Sequence, residues 1–99
     1  MLNVIKTVNG GKAVIRPEGR LDTVTAPDLE NTLKEILPAI TYLEFDLEKL
    51  EYISSAGLRV LLSAQKVMNK QGEMKVRSIN ETIAEIFEVT GFSDILDIE

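Results

Sequence analysis

The residues best able to do chemistry stand in one run, Glu51-Tyr52-Ile53-Ser54-Ser55-Ala56-Gly57-Leu58-Arg59, where two adjacent hydroxyls and a glycine precede a long apolar stretch. A first helical turn leaves backbone N–H groups without partners inside the helix, and the peptide dipoles favour negative charge there. A hydroxyl at that point either caps the helix or carries a phosphate that the helix end tolerates. Three acids stand apart from this run. Asp22 follows Gly19-Arg20-Leu21 and suits a turn or a helix start, because Asp bonds readily to nearby backbone N–H groups. Glu44 and Asp46 have the i, i+2 spacing of paired carboxylates, yet no further ligands accompany them to complete a cation site. Glu44 is expected on a solvated sheet face, and Asp46 is expected to bond to the loop beyond it. Gly10-Gly11 reads as a turn rather than a phosphate cradle, because no P-loop lysine spacing follows it.

What the chain lacks excludes several classes of activity. It has no histidine and no cysteine, which removes the commonest general base, the Ser-His-Asp arrangement, disulfides and thiolate metal sites. Ser55-Ala56-Gly57 matches the latter half of a nucleophile elbow, but Ile53 stands where that turn wants a glycine. Serine-lysine chemistry would need Lys49, Lys66 or another lysine within hydrogen-bond reach of the hydroxyl. The chain is therefore expected not to be an enzyme, and to need neither cofactor nor metal. Its net charge of −5 argues against direct nucleic-acid binding, which needs a basic face. No apolar run approaches membrane-spanning length, and no signal-peptide pattern opens the chain, so no membrane insertion and a cytoplasmic location are expected. With 99 residues, 44% hydrophobic and 27% charged, a single globular domain over residues 1–99 is expected.

The elements that must position the serines alternate between strand and helix. Leu2 to Val8 and Ala13 to Pro17 read as strands joined by Asn9-Gly10-Gly11-Lys12, a tight antiparallel hairpin. Thr25-Ala26-Pro27-Asp28 starts a helix with a hydroxyl cap, an early proline and an acid near the positive end. Leu29, Leu33, Ile36 and Leu37 continue it at helical spacing until Pro38. Tyr42 to Leu47 alternates as a strand, Ser55 to about Lys70 forms the second helix before Gly72, and Met74 to Ser78 is another strand. Asn80 is expected to cap a third helix that Gly91 closes, and Ile95 to Ile98 to form a short edge strand. Gly57 is expected to leave the first turn of the second helix open to a partner's backbone, so that alanine there would be mild for folding.

Charge placement along the strands predicts the architecture. Glu44 with Asp46, and Lys75 with Arg77, share strand faces that a sheet covered by helices on both sides would make apolar. One face should pack against helices while the other stays polar, with opposite charges paired across strands. Two strand-helix-strand units, Ala13 to Leu47 and Tyr42 to Ser78, imply parallel pairs with right-handed crossovers. The expected fold is α/β, with a mixed sheet of four to five strands and helices packed mainly on one face.

The run Tyr52-Ile53-Ser54-Ser55-Ala56-Gly57-Leu58, together with Gly19-Arg20-Leu21-Asp22 after the second strand and Asp46 in a central strand, resembles the STAS domain family. Within it the chain looks like a free-standing bacterial anti-sigma factor antagonist, and the order of elements extends the resemblance over almost the whole chain. The resemblance implies a STAS-like fold with Ser55 as the phosphorylated residue. It implies a switch in which the unmodified protein binds an anti-sigma factor, often itself a serine kinase, and so releases a sigma factor for transcription. A serine phosphatase would reverse the mark. Partner contacts would fall on Asp22, Thr25, Ser54, Ser55, Ala56, Gly57, Leu58 and Arg59. One residue departs from the family pattern: Ser54 stands where an aspartate is usual. That change would weaken kinase recognition, move the mark to Ser54, or belong to a branch that binds partners without phosphorylation. Such a branch would serve as a scaffold, a stress-signalling subunit or a transport-system component.

Overall fold

The computed structural model describes residues 2–99. The first two strands, β1 (Leu2–Asn9) and β2 (Lys12–Leu21), pair antiparallel from Leu2↔Gly19 to Asn9↔Lys12, so Gly10 and Gly11 alone make the turn. Gly10 takes φ +62°, a left-handed value that glycine adopts without steric cost. Helix α1 (Ala26–Ile36) buries Ala26, Leu29, Leu33 and Ile36, and a 3₁₀ turn at Leu37–Ala39 carries the chain past Pro38 into β3 (Tyr42–Asp46). A fourth strand, β4 (Leu50–Ile53), precedes helix α2 (Ser55–Gln71); β5 (Glu73–Arg77) and helix α3 (Glu81–Thr90) follow.

The five strands form one mixed sheet in the order β1-β2-β3-β5, with β4 also lying on β2. The long β2 serves two parallel partners along one edge. Lys12 to Ile15 pair with β3, and Gly19 to Leu21 pair with β4. This arrangement extends β2 beyond the expected end at Pro17. Pro17 falls in the gap between the two partners, where the ladder on that edge is interrupted, so its missing N–H is tolerated there. Strand β4 had no periodic signal because its register shifts by one residue against Gly19 and Arg20. Its core residues, Leu50 and Ile53, consequently lie three apart instead of two.

Ala13 and Ile15 of β2, Leu43 and Phe45 of β3, and Met74 and Val76 of β5 turn to the helical side and are buried with Leu61, Met68 and Phe87. The opposite side carries the paired charges. Arg77 lies 3.2 Å from Glu44, and Arg16 lies 3.3 Å from Asp46. Lys12 packs over the ring of Tyr42 at 5.0 Å. Asn80 caps α3 by accepting from the Ile83 N–H at 2.9 Å, and it also donates to the Leu50 carbonyl at 2.7 Å. The expected strand at Ile95 to Ile98 is reduced to a single parallel bridge between Ile98 and Val76, because Phe92–Asp94 form a 3₁₀ turn first.

Candidate functional site

Strand β2 and strand β4 end side by side, and each delivers the chain into a helix at the same edge of the sheet. Ser54, between β4 and α2, donates its N–H to the Leu21 carbonyl at 2.8 Å, which ties the start of α2 to the end of β2. Just before these ends, the Arg20 guanidinium packs over the Tyr52 ring at 4.5 Å, a cation–π contact across the paired strands.

The loop leaving β2 is closed by its own side chains. Asp22 accepts hydrogen bonds from the N–H groups of Val24 at 3.0 Å and Thr25 at 3.1 Å. The Thr25 hydroxyl in return accepts from the Asp22 N–H at 2.9 Å and donates to the Arg20 carbonyl at 2.8 Å. The Asp22 carbonyl receives the Ala26 N–H at 2.8 Å. The Thr25 N–H above all holds the Asp22 carboxyl below its usual range, with the Val24 N–H, the Thr25 hydroxyl and the Arg20 charge acting in the same sense against partial desolvation. The expected hydroxyl cap on α1 is therefore a correction: Thr25 is buried and makes no cap bond to the helix, because its oxygen is committed to Asp22 and Arg20.

The start of α2 is built differently. Ser54 occupies the cap position in extended conformation, but its hydroxyl makes no cap bond. That oxygen is buried and has no hydrogen-bond partner among the described residues. Ser55, the first helical residue, is exposed; Ala56 is half-buried; Arg59, one turn further, is exposed. Gly57 and Leu58 face the core, which corrects their expected place on the partner surface. A Cβ on Gly57 would stand 2.7 Å from Leu21 Cγ and 2.8 Å from Ile53 Cγ1, closer than carbon atoms pack. Gly57 lets α2 settle onto the ends of β2 and β4, and so sets where Ser55 stands.

Alongside Ala56 and Arg59, a groove runs between α1 and α2, lined also by Thr23, Pro27, Glu30 and Val60. Val24 projects from the adjoining loop with 84% of its surface exposed. Sequence periodicity does not single out Val24 or the groove, because it reports each helix's buried stripe and not the space between two helices. The Glu44–Asp46 pair is occupied otherwise. Glu44 accepts from the Tyr42 hydroxyl at 3.2 Å as well as pairing with Arg77, and Asp46 accepts from the Glu48 N–H at 3.1 Å. Among the described residues no cluster of acids offers a metal site, and no helix is long and apolar enough to cross a membrane. The lysines with side-chain hydrogen bonds among these residues are Lys6 and Lys75, neither of which reaches Ser55.

Comparison with known proteins agrees with this geometry. The chain is 30% identical over 98 residues to an anti-sigma-B factor antagonist of Bacillus subtilis, covering 98% of this chain and 90% of that protein. It is 32% identical over 84 residues to the protein of the same name from Listeria monocytogenes, covering 82% of this chain and 73% of that one. The fold superposes on an anti-sigma factor antagonist from Mycobacterium paratuberculosis with a TM-score of 0.89 at 22% identity, covering 99% of this chain and 85% of that one. It superposes on SpoIIAA in its unphosphorylated form with a TM-score of 0.76 at 17% identity, covering 100% and 87% of the two chains. The phosphorylated form of SpoIIAA, a Bacillus cell fate determinant, gives 0.75 at 18% identity, covering 100% and 91%. The sequence profile of the STAS domain matches residues 3–99, and the chain belongs to that family.

Proposed function

We propose that this chain is an anti-sigma factor antagonist, a non-enzymatic module that binds an anti-sigma factor in its unmodified form and is switched off by phosphorylation of Ser55. The exposed Ser55 hydroxyl at the first residue of α2, beside a loop held rigid by Asp22 and Thr25, carries the reading. The relatives' names supply the class of partner, and a SpoIIAA structure in phosphorylated form supplies the precedent for the mark. The docking surface comprises Ser55, Ala56 and Arg59 with the exposed Thr23 and Val24 of the neighbouring loop, whose buried Thr25 supports it from beneath. A serine kinase places the mark, with the anti-sigma factor itself as the first candidate, and a serine phosphatase removes it in the cytoplasm.

A phosphoserine brings about −1.5 to −2 charges near neutral pH. The free N–H groups and dipole of the helix end accept that charge, so the fold survives modification. The partner meets a hydrated anion where it had met a hydroxyl, and taking that added charge out of water costs more than taking out the hydroxyl. Incubation with the anti-sigma kinase and ATP, followed by peptide mapping, should place phosphate on Ser55. In calorimetric titrations Ser55→Ala should bind the anti-sigma factor and resist inactivation. Ser55→Asp should bind at least about tenfold more weakly, a loss of ~1.4 kcal/mol, with its melting temperature nearly unchanged. Phosphate confined to Ser54 or Ser63 would refute the site. Binding without any phosphorylation would favour a constitutive scaffold.

A further inference from the structure

We propose that Arg59 is the internal counter-ion of modified Ser55: its guanidinium grasps the phosphate one helical turn away and is thereby withdrawn from the α1–α2 groove. The inference rests on the reading of Ser55 as the phosphorylated residue and adds the group that answers the charge. Ser55 and Arg59 stand at i and i+4 on α2, and both are exposed. Residues so spaced lie about 5–6 Å apart at Cβ, and an anion placed N-terminal to its cation is the favourable order. Side chains on a helix lean toward its N-terminus, so position 59 puts a guanidinium within reach of the turn that carries Ser55. A guanidinium also matches phosphate geometry with two parallel hydrogen bonds, which a lysine cannot reproduce.

Neighbouring charges leave Arg59 as the available cation. Among the described residues it makes no ion pair. Arg20 is engaged over Tyr52, and Lys34 lies 3.9 Å from Glu30. Glu30, which shares the groove lining with Arg59, is the carboxylate facing it from α1, and Asp22 in the adjoining loop already receives two N–H groups. In the unmodified protein Arg59 therefore presents a positive charge at the groove. After modification the same residue serves the phosphate, so the groove loses a cation as the helix end gains an anion.

The test uses full-length protein carrying phosphoserine genetically encoded at position 55, which removes any dependence on a kinase. Phosphorus NMR titrations would compare the parent with Arg59→Gln and Arg59→Lys, all exposed-site changes. The second phosphate ionisation in the parent should lie about 0.3 pH units below that of Arg59→Gln, the shift expected from an i, i+4 pair, and it should shrink in high salt. The Arg59 guanidinium resonances should move on phosphorylation. Superimposable titrations of parent and Arg59→Gln, with unmoved guanidinium signals, would overturn the proposal. That result would leave the kinase mapping of Ser55 untouched, whereas failure of the mapping would leave these titrations standing.

Discussion

Thr25 and Ser54 occupy the same position relative to their helices, the residue just before the first turn, and both bury a hydroxyl oxygen at the same edge of the sheet. Thr25 satisfies its oxygen twice, through the Asp22 N–H and the Arg20 carbonyl. The Ser54 oxygen has no hydrogen-bond partner among the described residues. The loop leading into α1 is thus closed by side chains, although Thr25 gives the helix itself no cap bond, while the turn into α2 holds an unbonded hydroxyl beside first-turn donors that have no side-chain cap. A closed end serves as scaffold. An open end, whose N–H groups and dipole stay at the disposal of an added anion, is where a phosphate can be accepted without unfolding anything.

The largest disturbance of this comparison should come from Gly57, the residue that presses the open end against the closed one. Alanine in a helix interior is favoured over glycine by about 1 kcal/mol. Here the added carbon meets Leu21 and Ile53, both fully buried, at 2.7–2.9 Å. Overpacking of this kind costs about 1–3 kcal/mol and outweighs the propensity gain. Gly57→Ala should lower the melting temperature, and Gly57→Val should leave little folded protein by circular dichroism. A Gly57→Ala variant more stable than its parent would show that α2 does not need this close approach.

Thr25→Val tests the closed end directly. The substitution keeps the shape and removes the hydroxyl, leaving the Asp22 N–H and the Arg20 carbonyl without their partner. Stranding partly buried backbone groups costs about 1–3 kcal/mol, readable as a shift in urea midpoint with unchanged slope. The same loop has a pH signature. Asp22 has a depressed pKa in the folded state, so its contribution is fully present above the unfolded value of 3.8 and is lost as pH falls through the lower folded value. The gap in melting temperature between the parent and Asp22→Ala should therefore be widest near neutrality and close below pH 3.8. A gap that stays constant into acid would mean that the carboxylate's charge plays no part in closing the loop.

How much of this was legible in the sequence follows from the period of each signal. The hairpin, α1, α2, α3 and the polar sheet face announced themselves because alternation and helical spacing run unbroken through them. β4 did not, since its one-residue register shift places Leu50 and Ile53 out of step. The serines were legible as a motif at a helix start, and Arg59 as one of the partner contacts that the family resemblance implies. Gly57 was misplaced because the absence of a side chain does not say which way that absence points; only the packing of Leu21 and Ile53 decides it. The bonds that occupy Thr25 join it to Asp22 and to Arg20, five residues upstream, a pattern that a cap rule applied to the helix alone does not contain.

The smallest expected effect is the sharpest probe of the open end. Ser54→Ala removes a buried oxygen that has no partner among the described residues, so nothing is stranded when it goes, and the burial of an unbonded hydroxyl is relieved. Stability should change by no more than about 0.5 kcal/mol, and toward greater stability, in contrast with the loss expected from Thr25→Val. The same variant separates the two serines chemically. A phosphate on Ser54 would have to enter a site whose oxygen is closed to solvent, whereas Ser55 stands open on the helix. Ser54→Ala should accordingly accept phosphate at an undiminished rate, as followed by intact-protein mass spectrometry. A destabilisation as large as that of Thr25→Val would mean that the Ser54 hydroxyl is bonded in solution and that both helix starts are closed. Loss of phosphorylation with the fold intact would move the accepting hydroxyl from Ser55 to its neighbour.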